Sequence, residues 1–263
     1  MPGKKQNSSI LLKDLLESKS AYYNRPFFIE KDPISVPHRF KKKQDIEIAG
    51  FFAAVFAWGN RTTIINKSLG LMNLMDDSPH EFCLQHRESE LARMLSFRHR
   101  TFQTTDLLYF IHFLKQHYSK HKSLESAFLH GMDKEATTVE KGLSNFHHYF
   151  FSFEDSPLRT RKHIASPEKN SSCKRLNMFL RWMVRKDRQG VDFGIWNGIR
   201  PSQLVCPIDL HVARVAARLN LIGGGIVNWQ TALQLTSCLR TFDPEDPVKY
   251  DFALFGMGAE EHF

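Results

Sequence analysis

Cysteine is scarce in this sequence: four in 263 residues, Cys83, Cys173, Cys206 and Cys238, far apart and with no C-x-x-C pair. That spacing excludes a zinc finger and the ligand loop of an iron–sulfur cluster, and it reads as reduced thiols. No metal and no cofactor is therefore expected. Long apolar runs are missing too. The densest, residues 46–58, has 13 residues where about 20 are needed to cross a bilayer. The opening Met-Pro-Gly-Lys-Lys-Gln-Asn-Ser-Ser has no apolar signal core, so a cytoplasmic protein without a membrane partner is expected. There is no repeat period and no low-complexity tract, which excludes solenoids and compositional linkers. What is abundant is aromatic and basic: 22 Phe and 4 Trp supply a core, and 36 Lys and Arg against 28 Asp and Glu leave a net charge of +8. A positive field favours polyanions, but only where the charge converges on a site.

Apolar positions recur at three and four along most of the chain, so the fold class is all-α. Helices are expected over residues 10–22, 46–58, 62–75, 107–117, 123–131, 138–151, 172–186, 209–219, 229–239 and 247–255, with a further restart at Asp77-Ser78-Pro79. The stretch 26–37 carries Pro26, Pro33 and Pro37 and reads as a loop. Asp45 is placed to cap a helix apolar on every face, with Gly59 just past its end. The charged stretch 154–170, with Pro157 and Pro167, is the best linker candidate.

Chemistry concentrates between residues 171 and 221. In the helix over 172–186, Leu176, Phe179, Leu180, Met183 and Val184 form one stripe and leave Lys174, Asn177, Arg181 and Arg185 on another. That second stripe is either a solvated face or a run of phosphate contacts. Ser171 and Ser172 can cap the helix, and free N–H groups there, beside Lys174 and Arg175, suit an anion. Downstream, Cys206-Pro-Ile-Asp-Leu-His-Val-Ala-Arg-Val-Ala-Ala-Arg-Leu puts Asp209 at a helix N-cap after an extended approach through Pro207. A capping carboxylate stays ionised and can face a developing cation. Arg214 and Arg218 follow one turn apart. His117 and His121, and His147 and His148 amid Phe and Tyr, lack further ligands at metal-site intervals and read as structural or solvated residues. Gly223-Gly-Gly225 is a flexible turn.

The segment Pro207-Ile-Asp209-Leu-His211-Val-Ala-Arg214-Val-Ala-Ala-Arg218-Leu resembles the aspartate segment, V-D-x-H-V-x-R-V-x-x-R-L, of the helix-hairpin-helix DNA glycosylases. That superfamily includes endonuclease III, adenine glycosylase and the oxidised-guanine glycosylases. The resemblance implies that Asp209 opens a helix facing DNA and assists cleavage of the base–sugar bond. It also implies an upstream lysine that attacks the deoxyribose C1′ in members that cut the strand. Lys174 is the candidate, 35 residues before Asp209, an interval similar to that of the archaeal oxidised-guanine enzymes. Asp251-Phe-Ala-Leu-Phe-Gly-Met-Gly258 resembles the superfamily's closing helix, D-x-A-L-x-x-L-G. The hairpin sequence L-P-G-x-G is replaced by Ser166-Pro-Glu-Lys-Asn-Ser-Ser-Cys173, and the four-cysteine cluster loop of endonuclease III is absent. Together the matches cover roughly the last hundred residues, and the chain as a whole is similar to an uncharacterised bacterial family of this superfamily.

These readings converge on a two-lobed, all-α glycosylase-like fold with a basic cleft between the lobes. Residues 60–200 form the central lobe, and 1–59 and 201–263 pack together as the second. The expected partner is double-stranded DNA carrying a damaged base, with no iron–sulfur cluster. Asp209 and Lys174 are the expected catalytic pair, and Ser172, Arg175, Arg181, Arg185, His211, Arg214, Asn60 and Arg61 the expected DNA contacts. Lys174 is either nucleophile or phosphate ligand. Trp58-Gly-Asn60-Arg61 is either a wedge that fills the gap left by an extruded base or an ordinary turn between helices. A non-catalytic binder of damaged or branched DNA is the alternative function, and a helical interaction protein with diffuse charge a third.

Overall fold

The computed structural model describes residues 2–133, 135–261 and 263, with side chains from residue 10 onward. All regular structure among them is helical, and the one β-type pairing is an isolated antiparallel bridge between His99 and Phe102. In chain order the α-helices are α1 (Pro2–Tyr23), α2 (Pro26–Glu30), α3 (Lys43–Phe56), α4 (Arg61–Leu74), α5 (Pro79–Gln85) and α6 (Glu88–Leu91). Then come α7 (Thr104–Tyr118), α8 (Glu125–Leu129), α9 (Glu140–Phe150), α10 (Lys174–Val184), α11 (Leu210–Arg218), α12 (Trp229–Arg240) and α13 (Asp251–Ala259). None is long and apolar enough to cross a membrane. The proline-rich stretch expected as loop is instead stepped helix: α2, then 3-10 turns at Pro33–Ser35 and Pro37–Arg39. Each begins on a proline, whose missing N–H costs nothing in a first turn.

The chain divides into two compact units. One comprises Met1–Phe28, Glu135–Val139 and Pro167–Phe263, the other Ile29–Lys134 and Glu140–Ser166. These limits differ from the lobe boundaries drawn at 59 and 200, because α3 belongs with the helices that follow it and α10 with those near the C-terminus. The charged stretch 154–170 holds 3-10 turns at Leu158–His163 and Pro167–Lys169 and crosses from one unit to the other at Ser166–Pro167.

In the unit containing α3–α9, α3 is the central post. Every residue from Asp45 to Phe56 is buried, and phenylalanine rings of α3, α7 and α9 pack around it, Phe51 against Phe110 at 5.6 Å and Phe146 at 5.8 Å. Asp45 does not cap this helix. It lies in the first turn and accepts from the His80 N–H at 2.9 Å, while Lys42 occupies the cap. Glu47 is fully buried and accepts from the Tyr118 hydroxyl at 2.8 Å, the Leu124 N–H at 3.1 Å and Ser123 Oγ, which compensates its desolvation.

In the other unit, α13 lies between α1 and α11. Gly256 permits the closest approach, since a Cβ there would lie 2.3 Å from the Tyr23 ring. Polar staples hold α1 to the C-terminal segment: Tyr23 Oη donates to Glu261 at 2.7 Å, and Tyr250 Oη to Glu17 at 2.6 Å. Trp182, Trp196, Trp229 and Tyr250 fill the core beneath.

Candidate functional site

The segment before α10 does not form a conventional cap. Cys173 takes the N-cap position at φ 50°, in the left-handed region, and its side chain makes no capping hydrogen bond. Ser171 Oγ instead accepts from the Cys173 N–H at 3.3 Å, so the serines expected as caps shape the turn ahead of the helix. Lys174 is consequently the first residue of α10, with the helix's unpaired N–H groups around it. Ser172 Oγ donates to the Ile208 carbonyl at 3.3 Å, which ties this turn to the extended approach into α11.

That approach runs through buried Pro207 and Ile208 into Asp209, the N-cap of α11 at φ −123°. Asp209 Oδ1 accepts from the N–H groups of His211 at 2.9 Å and Val212 at 3.0 Å. Its second oxygen, Oδ2, lies 3.6 Å from Lys174 Nζ. Two residues 35 positions apart thus meet at adjoining helix N-termini. The capping bonds fix the carboxylate beside the lysine. The two side chains are 23% and 30% exposed, open enough for a substrate to reach.

The remaining expected contacts divide. His211 and Arg214 are exposed on α11. Arg175 is half-buried, and desolvation pulls its guanidinium down to about 10, which leaves it protonated at neutral pH. The side chains of Arg181 and Arg185, expected as DNA contacts, are both buried and not presented at a surface. They are 3% and 2% exposed and stack on the Phe252 ring, 4.4 Å and 5.5 Å from its centre. Arg181 pairs with Asp251 and, at 3.3 Å, with Asp192; Arg185 pairs with Asp192, with Asp246 at 2.9 Å and with Asp187 at 3.0 Å. Their stripe reads as a cationic surface because three of the four compensating aspartates lie outside α10 by more than a helical turn. Only the partners show that the stripe faces inward.

This ionic core reaches the Lys174–Asp209 pair. Burial raises the Asp251 carboxyl to about 6, while the charges of Arg181 and Lys174 oppose the rise and that of Asp209 adds to it. Cys206 Sγ lies 4.0 Å from Asp251, and burial beside that carboxylate pushes its thiol up, so this cysteine is no nucleophile. Among the described residues no group of three or more His, Cys, Asp or Glu side chains is placed to hold a metal ion.

Asn60 and Arg61 belong to the other unit. Asn60 is the N-cap of α4, its side-chain oxygen accepting from the Thr63 N–H at 3.1 Å, and Gly59 turns the chain at φ 107°. The Asn60 carboxamide oxygen is thus engaged by the helix.

A family model matches residues 32–260, nearly the whole chain. The chain belongs to the DUF2400 family, described as a protein of unknown function. No curated protein and no solved structure matches it. In this DUF2400 member both candidate catalytic residues lie within the matched region, as do Arg181, Arg185 and all four of their aspartates.

Proposed function

We propose that this DUF2400 protein is a DNA base-excision glycosylase that cleaves the N-glycosidic bond of a damaged base, with strand-cutting lyase chemistry through a lysine imine. The observation that carries the reading is the 3.6 Å approach of Lys174 Nζ to a capping carboxylate, Asp209 Oδ2, at two helix N-termini. Loss of the base builds positive charge on the sugar, and a fixed carboxylate favours that state over the neutral substrate. Asp209 is also the base nearest the ammonium. As the C1′–N bond breaks, the ammonium gives a proton to Asp209, the free amine adds to C1′, and the base leaves with its electron pair and takes that proton, which restores the carboxylate. The C1′–O4′ bond then opens, with the amine proton passing to O4′, and gives an imine between Lys174 and the sugar; loss of a C2′ proton with departure of the 3′ phosphate cuts the strand. The two-lobed glycosylase-like fold with a basic cleft, the double-stranded DNA partner and contacts by Ser172, Arg175, His211, Arg214 and Arg61 are parts of the same proposal.

The alternative is a non-catalytic DNA binder. Lys174 at the first position of an uncapped helix suits a phosphate as well as it suits an attack on C1′. Borohydride reduction on duplexes carrying an abasic site, oxidised guanine or uracil separates the two. An enzyme leaves a covalent adduct that Lys174→Ala abolishes, whereas binding without any adduct sinks the lyase proposal.

A further inference from the structure

In the unit containing α3–α9, a turn at residues 95–103 packs beside the Trp58-Gly59-Asn60 corner, and it carries cations that the reading above does not use. The Arg100 guanidinium lies 5.0 Å from the centre of the Trp58 ring. It also covers the backbone at Gly59, where an added Cβ would meet Arg100 Nη1 at 2.5 Å. Lys67 of α4 reaches the same turn, its ammonium 6.0 Å from the centre of the Phe97 ring. Arg98, Arg100 and Lys67 are all exposed, and among the described residues no carboxylate pairs with them. Neither residues 58–75 nor residues 95–105 contain an Asp or Glu.

The turn is held rigid from below. His99 and Phe102 exchange backbone hydrogen bonds of 2.9 Å, His99 Nε2 lies 3.0 Å from the Phe56 carbonyl, and Arg159 donates to the Thr101 carbonyl at 3.1 Å. Arg100 stands at its tip at φ 55°, where glycine or asparagine would sit with less strain. Arg100 thus stands at a left-handed tip, over an indole and beside two further exposed cations.

We infer that Arg98, Arg100 and Lys67 form a second DNA contact, a phosphate-backbone clamp in the α3–α9 unit. A guanidinium held over the Trp58 ring can offer its N–H groups to a phosphodiester, and the ring contact limits the freedom given up on binding. The inference rests on the DNA reading for its partner but not on imine chemistry.

The test is the salt dependence of duplex binding between 50 and 200 mM, with Arg98→Ala/Arg100→Ala beside the wild type. Abolishing one phosphate contact takes about 0.9 off the log–log slope, so the double variant is shallower by about 1.8, a fall in salt sensitivity of roughly tenfold across that range. Lys120→Ala/Lys122→Ala, an equal charge change at two exposed lysines elsewhere in the same unit, is expected to leave the slope within about 0.5 of wild type. An equal drop in both pairs, or none in the first, overturns the clamp, and so does a shallower slope that comes only with a collapsed thermal transition. A wild type that binds no duplex overturns the clamp and the glycosylase reading together. A clamp that behaves as expected without any borohydride adduct stands alone and removes the imine mechanism.

Discussion

Asp209→Asn separates the structural role of this residue from its chemical one. In the folded chain Oδ1 caps α11 through two N–H groups, and an asparagine oxygen caps as well as an aspartate one. What asparagine removes is the charge on Oδ2 facing Lys174 at 3.6 Å. The pair is partly exposed, so its removal costs at most about 1 kcal/mol of stability, or roughly 2–4 °C in Tm. Asp209→Ala also loses the cap and costs about 1 kcal/mol more. Base release tells a different story: a fixed charge opposite a developing cation is worth about 100- to 1000-fold in rate by analogy with other preorganised groups, and both variants forfeit it. Single-turnover base release, duplex affinity and thermal unfolding, measured on the three proteins, decide the matter. The expected pattern is an asparagine variant that is stable, binds DNA and is inactive. If Asp209→Asn retains turnover within about tenfold, Asp209 is a cap and nothing more; a fall in Tm as far as the alanine variant would instead refute the claim that asparagine keeps the cap.

Arg185→Ala strips a buried cation from Asp187, Asp192 and Asp246 and is expected to destabilise the unit by about 3–5 kcal/mol in urea unfolding. A near-neutral stability with weakened DNA binding would return Arg185 to the surface. Gly256→Ala drives a methyl into the Tyr23 ring and should cost about 1–3 kcal/mol, visible as a lower Tm; an unchanged Tm would mean that α1 shifts without penalty. Asp251, raised to about 6, holds its proton more tightly folded than unfolded, so its contribution to stability declines as pH rises from about 4 to about 6. Comparing the pH dependence of unfolding for Asp251→Asn with wild type checks this: the variant should lack that decline, and an unaltered profile would refute it.

Much of the helical plan is legible in residue patterns, and the reasons are local. The alternation of Leu176, Phe179, Leu180 and Met183 with polar residues marks α10, and Asp209 after Pro207 marks the start of α11; both depend on neighbours within a turn or two. Asp45 shows where such reasoning ends, because its oxygen goes to the His80 N–H, 35 residues away, and not to its own helix. The left-handed Cys173 is equally invisible, since nothing in Ser-Ser-Cys-Lys demands a positive φ. Arg181 and Arg185 give the clearest case. A stripe of cations at helical spacing has the same pattern whether water or aspartate faces it, and Asp246 and Asp251 come from the far end of the chain. Lys174 and Asp209, by contrast, are each identifiable from their place in a motif, and the structure brings their side chains together. The Trp58–Arg100 contact escapes sequence reading because α4, α5 and α6 separate the two residues, which meet only where the turn folds back onto α3.

In the proposed reaction the Lys174 amine, set against Asp209, forms the bond to the sugar. The most direct test is peptide mapping by mass spectrometry of the product of borohydride reduction on an abasic-site duplex. The expected product is one modified peptide, carrying the reduced deoxyribose on Lys174. An adduct on any other lysine, or none while duplex binding is intact, would contradict this role for Lys174.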